Sequence, residues 1–354
     1  MKRVQHIGLL LGVLLSVSAV CAQSTQVNLP RPSQHAVVTQ RIGITDITIN
    51  YHRPLVNGRK VFGGLESYGK VWRAGANENT TITFSDPVTI EGNALAAGTY
   101  GLHMIPNENE WTVIFSKAAT SWGSFTYDQA EDALRVTVKP QPTDFHDALT
   151  YDFDDLKPDS AVVTLRWDKV AVPVKVAVNV NELVEQSLRK QLRGLSQYTW
   201  DGWNDAADFL VANKIDLEEA LHYTDKSIEV EERYENLMTK SQVLELLGRK
   251  EEAAKFQAEA LAKANAVQSY AYARQLQGEK KPDEAYAAYR ANAKKFPNDW
   301  ISHFGMARVY SAQGDYDNAI KEAKASMVGA PDNGTKPFLE DQVKKLEAKQ
   351  DINK

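Results

Sequence analysis

Cysteine is almost absent from this chain of 354 residues: there is one, Cys21, and it closes an apolar stretch near the N-terminus. Met1-Lys2-Arg3 precedes that stretch, which runs from Ile7 to Val20, and the polar Gln23-Ser24-Thr25 follows it. This is the layout of a secretory signal peptide, residues 1–22. Lipid attachment at Cys21 would want a small residue where Val20 stands, so cleavage after Ala22 is the expected processing and the periplasm the expected destination. The only thiol then leaves with the leader. The mature chain is expected to have no disulfide and no thiolate metal site, although its compartment would permit bridges, so its stability must come from packing.

Long apolar runs are equally scarce. The leader's apolar core is short for a permanent anchor and nothing after it approaches a bilayer's thickness, so no membrane span is expected. An excess of basic residues is also missing: 41 Lys and Arg against 46 Asp and Glu leave a net charge of −5. That balance gives no electrostatic reason for nucleic acid or an anionic membrane as partner. No Gly-x-Ser-x-Gly elbow occurs, and Gly98-Thr99-Tyr100-Gly101 lacks the lysine and following helix of a phosphate-cradling loop. No catalytic motif and no cofactor site can be pointed to, which favours a non-enzymatic protein.

What is present divides in two. From Ala36 to Val178, within a β-rich domain of residues 30–178, apolar residues recur mainly with period two, as in Thr45-Ile47-Ile49-Tyr51, Thr80-Ile82-Phe84, Tyr100-Leu102-Met104, Trp111-Val113-Phe115, Leu134-Val136-Val138 and Leu149-Tyr151-Phe153. Val163-Leu165-Trp167 and the run Val170-Val172-Val174-Val176-Val178 read as two further strands. Glu91-Gly92-Asn93, Pro106-Asn107 and Lys157-Pro158-Asp159 mark turns, so this part is expected to be an antiparallel β-sandwich or barrel-like domain. After Asn179 alanine, leucine, glutamate and lysine take over at helical spacing. Residues 179–202 are expected to form a connecting helix, and residues 203–348 repeat.

The repeat appears when Ala220, Ala253, Ala285 and Ala319 are aligned, at intervals of about 32 to 34 residues, the period of the tetratricopeptide motif. Ala307, Tyr310, Gly314, Ala319 and Pro331 in the last copy, and Ala273, Ala285, Tyr289 and Pro297 in the one before, fall where that motif wants them. Small residues let paired helices approach and large aromatics fill the space opposite. Stacked helix pairs curve and present a groove, so a protein or peptide partner is expected there; packing of the array on the β domain or on a second copy is the alternative.

The connection from His52 to Asn79 is long for a compact β domain and rich in glycine, arginine and aromatics. Arg53, Arg59 and Arg73 could offer forks to a carboxylate or phosphate, Trp72 a stacking face and Asn77 an amide. With His103 these are the candidate residues for a small ligand or glycan. The competing structural reading has Trp72 plug one end of the sheets while the arginines cap carbonyls or pair with Asp46, Glu66 and Glu78. A metal site would have to draw on His52, His103 and His146 with Asp144 or Asp147, none at diagnostic spacing; a lone strand histidine such as His103 is more often a surface or satisfied core residue.

Two stretches carry a family resemblance. The first runs from Tyr51-His52-Arg53-Pro54 through Gly58-Arg59-Lys60-Val61-Phe62-Gly63 to Val71-Trp72-Arg73-Ala74-Gly75-Ala76-Asn77. The second comprises Ala97-Gly98-Thr99-Tyr100, Ile105-Pro106, Trp111, Trp122-Gly123 and Tyr127. Together they resemble the bacterial family called domain of unknown function 2911, over about residues 30–178. The resemblance implies export and accommodates tetratricopeptide repeats behind the β domain; it implies no activity. His52 stands where that family more often has serine. Two functions from different classes follow: an exported binding or scaffold protein, or a cell-envelope hydrolase with its site in the 52–79 loop and His103.

Overall fold

The computed structural model describes residues 29–332 and 334–354, so the expected leader, residues 1–22, lies outside the described residues. The chain divides into two units at Val180/Asn181.

Among the described residues the first unit contains ten strands in two antiparallel sheets. Six of them, β1 (Gln34–Ile42), β2 (Thr45–Arg53), β3 (Thr81–Phe84), β6 (Gly98–Ile105), β7 (Trp111–Ser116) and β8 (Asp132–Val138), lie side by side in that order. The other sheet has the order β5 (Asn93–Leu95), β4 (Val88–Ile90), β10 (Ser160–Ala177), β9 (Gln141–Asp154). Period-two alternation puts Ile47, Ile49 and Tyr51 of β2 on the buried face, with Ile82, Leu102, Met104, Val113 and Phe115 beside them. Across from these stand Tyr151, Val163, Leu165, Val172, Val174 and Val176 of the second sheet, and the rings of Tyr51 and Tyr151 meet edge to face at 4.8 Å.

Two departures from the sequence reading have physical causes. The segments expected as separate strands around Val163 and Val172 are one strand, β10, kept continuous by an irregularity at Asp168. That residue takes φ +55°, and the register against β9 shifts on both sides of it, the signature of a bulge. Strand β1 carries little apolar periodicity because, among the described residues, it is an edge strand, exposed along most of its length and paired with β2 alone.

Among the described residues the second unit contains ten α-helices counted from α1 (Val180–Gln191), which starts at the boundary. A short 3-10 turn, Leu195–Tyr198, separates it from α2 (Trp200–Asn213), so the segment between the units is broken rather than one continuous helix to residue 202. The remaining helices are α3 (Leu217–Val230), α4 (Tyr234–Leu246), α5 (Lys250–Lys263), α6 (Ala266–Gly278), α7 (Pro282–Lys295), α8 (Trp300–Ala312), α9 (Tyr316–Gly329) and α10 (Thr335–Glu347). They form tetratricopeptide-type pairs: α2 with α3, α4 with α5, α6 with α7 and α8 with α9. Local chemistry starts them: Asp216, Asn265, Asp299 and Asp315 accept from backbone amides in the first turns of α3, α6, α8 and α9, and Pro282 occupies the first turn of α7.

Each aligned alanine is buried in the second helix of its pair: Ala220, Ala253, Ala285 and Ala319, all at 2% exposure or less. Ala319 packs with Phe304, Ala307 and Ala323, with Tyr310 against them. Gly314 holds φ +74° in the turn between α8 and α9, a left-handed conformation that glycine reaches without strain. Tyr289 is fully buried on α7 and lies so near Gly305 of α8 that a methyl group there would come within 2.9 Å of its ring. One residue therefore has to be large where its neighbour is only hydrogen.

Candidate functional site

The 52–79 connection fills the end of the first unit with aromatic rings. Trp72 is 5% exposed. It stacks on Trp167 at 5.7 Å and 21°, meets Phe62 and Trp111 edge to face, and donates its indole N–H to the carbonyl of Gly75 at 3.1 Å. Its backbone exchanges two hydrogen bonds of 2.8 Å with Met104. The connection thus continues the ladder of β6 past the end of β3, and the indole is enclosed by other rings.

The arginines of the connection are spent on carbonyls. Arg53 donates from Nε to the Leu149 carbonyl at 2.8 Å and from Nη2 to Thr150 Oγ1 at 2.7 Å, tying β2 to β9. Arg59 donates to the carbonyls of Val56 and Leu55, closing its own turn. Arg73 donates to the carbonyl of Asn77 and lies over the ring of Phe125. Asn77, at φ +59°, gives its amide to the carbonyl of Ser33. Between Arg59 and Arg73 sits Glu66, whose carboxyl burial pushes up to about 7 although both guanidinium groups pull it down.

His103 lies elsewhere on β6 and is 3% exposed. Its Nδ1 is 2.9 Å from Ser124 Oγ, and its ring is 5.4 Å from Tyr127. Tyr127 donates to Asp132 Oδ2 at 2.7 Å, and Arg135 bonds both. The segment from Lys117 to Asp128 covers that face of β6, which is why the strand is buried on both sides although its sequence alternates. Arg73 reaches this segment too, because its guanidinium abuts Gly123, next to Ser124. The structure therefore brings Arg73, Asn77 and His103 to the neighbourhood of Gly123 and Ser124, and leaves Arg53 and Arg59 apart from them. His52 faces His35 and Glu78, and His146 pairs across to Asp168, so the three histidines do not converge.

Burial drives the His103 imidazole down to about 4, with Asp132 opposing. Between pH 6.5 and 4 the unfolded chain then holds a proton that the fold refuses. This contribution to stability is complete above pH 6.5 and is lost as pH falls toward 4, by about 3 kcal/mol at most. Glu66 acts with the opposite sign, losing its contribution as pH rises through 7. Imidazole NMR shifts separate the two: His103 is expected to remain neutral at pH 5, and a midpoint near 6.5 would show the Lys117–Asp128 cover to be open.

A cleft of about 290 Å³ opens on the other side of the aromatic cluster, floored by Phe62, Trp111 and Val170 and edged by Tyr68, Asn107, Glu108, Gln141 and Lys169. In the helical unit a larger groove of about 480 Å³ runs between α4 and α6, with contributions from α2, α5 and α7. Met238, Gln242 and Glu245 occupy one face of α4 at spacings of four and three; Tyr272 and Gln275 lie on one face of α6, and Glu279 follows just past its end. Ser124, the cleft residues Tyr68 and Lys169, and the groove residues were not among the site candidates the sequence offered, although Tyr68 lies in the first family stretch and Glu284 beside the aligned Ala285. Ser124 stands beside the quoted Trp122-Gly123 signature, and the groove faces follow once the alanine register fixes which side of each helix is packed.

Residues 33–176 match the family described as Protein of unknown function (DUF2911). Among curated proteins nothing matches. Over 48% of its length the chain is similar to a chain of the APC/C hetero-tetramer Cut9-Hcn1, at 13% identity and a TM-score of 0.31, and spans 33% of that chain. Over 48% it is similar to YrrB, a TPR protein with an unusual peptide-binding site, at 16% identity and 0.28, spanning 88% of it. A third likeness is to pilF of Pseudomonas aeruginosa, at 18% identity and 0.30, over 48% of this chain and 78% of that one.

Proposed function

We propose that this chain is an exported, non-catalytic scaffold whose helical unit holds an extended peptide or a partner's helix. The observation that carries this reading is the α4–α6 groove: an apolar floor of Met238 and Leu276, the 42% exposed Leu246, and a rim of amides and carboxylates on matched helix faces. Export rests on residues 1–22. The β unit serves as a compact platform, and a small ligand or glycan on it would use the cleft edged by Tyr68, Asn107 and Gln141, since the arginines of the connection already hold carbonyls. The hydrolase alternative has one observation behind it, the Ser124 hydroxyl beside His103; that contact also pins the covering segment to β6, and this is the role we assign it.

A photo-crosslinking residue at Gln242, compared with the same residue at Glu259 on the exposed side of α5, tests the scaffold reading. The full chain should be recovered from the periplasmic fraction with the mass of a start near Gln23, and the groove position alone should yield a discrete adduct.

A further inference from the structure

The groove between α4 and α6 is charged on one side of neutrality. Its rim carries Glu245, Glu279 and Glu284 against a single cation, Lys281, and that ammonium is already bonded to Glu279 at 2.8 Å. All three carboxylates lie near enough to raise Lys281, Glu279 foremost through its hydrogen bond. The Tyr272 hydroxyl, raised first by burial, is raised further by Glu284 and Glu279. The carboxylates therefore share one space with an aromatic face and the apolar floor, and among the described residues Glu245 and Glu284 form no ion pair of their own.

We propose that the occupant of this groove is a peptide segment carrying lysine or arginine beside an apolar residue. The proposal rests on the peptide-groove reading above and adds the chemistry of the partner. An aliphatic anchor fits over Met238, Leu246 and Leu276. A neighbouring ammonium or guanidinium meets Glu245 and Glu284, with its methylene stem along Tyr272. Complementary charge of this kind sets which partner is accepted and how fast it arrives, and like charge at the same place is costly. An acidic segment, or one bearing phosphate, would be turned away.

Three fluorescent nonapeptides of the patterns Lys-Leu-Ala, Glu-Leu-Ala and Gln-Leu-Ala, each repeated three times, read this out against the full chain. The lysine peptide is expected to bind tightest, and to lose on the order of tenfold in affinity when Glu245→Lys and Glu284→Lys are combined. A control variant with the same change of net charge, Glu218→Lys with Glu259→Lys on α3 and α5, should leave its binding unchanged. Absence of lysine-peptide binding, equal loss in both variants, or preference for the glutamate peptide would overturn the proposal. Failure of the groove itself is read separately, by the absence of any adduct from Gln242.

Discussion

Replacing Trp72 with alanine should cost the β unit about 3–5 kcal/mol, the range for removing a large buried aromatic. The indole is enclosed by Trp167, Phe62 and Trp111 and supplies the bond to Gly75, so the loss combines a cavity between rings with an unpaired carbonyl. The connection from His52 to Asn79 should loosen with it, because its backbone reaches β6 at this residue through the two bonds to Met104. Urea unfolding of the full chain, followed by tryptophan fluorescence and by amide exchange in β6, measures both effects. A cost below about 1 kcal/mol would mean that the cluster does not hold the connection in place.

A comparable cost, again about 3–5 kcal/mol, is expected from Tyr289→Ala in the helical unit. The ring is fully buried between Tyr270 and Gly305, and its hydroxyl bonds Gln277 at 2.9 Å. Gly305 offers no side chain to refill the space, so little of the cavity can be recovered by relaxation. Because repeats contact mainly their neighbours, exchange should quicken in α6, α7 and α8 while β2 and β10 keep their protection. Unchanged exchange in α7 and α8 would contradict the packing assigned to Tyr289. Loss of protection in the strands would instead mean that the two units unfold as one.

These two residues also show what the sequence could reveal. Tyr289 and the aligned alanines were legible because a repeat prints its packing rule several times, and each copy supports the phase of the next. Trp72 was legible as a candidate, but its role was open: an indole offered to a ligand and one buried among other indoles have the same local sequence, and only the partners Trp167 and Trp111, dozens of residues away, decide. Arg53 and Arg59 are similar, since their forks suit a carboxylate and a carbonyl alike. Strand β1 was obscured by being an edge with few buried positions, and the continuity of β10 by a bulge at a single aspartate. His103 read as a lone histidine because its cover, the segment around Ser124, has neither helical nor strand periodicity.

The groove residues were hidden for another reason. The alanine register states which helix faces are packed, and leaves the remaining faces to be recognised by their neighbours in space. Gln242 and Glu245 on α4 become part of one surface with Tyr272 and Glu279 only when α6 is laid alongside.

If this surface, and not the β unit, takes the partner, crosslinking at Gln242 and at Glu259 in the full chain will differ. A discrete adduct is expected from Gln242, competed away by the lysine nonapeptide, with none from Glu259. Equal adducts from both positions, or an adduct that forms only when the photo-reactive residue is moved to Tyr68 in the β-unit cleft, would contradict it.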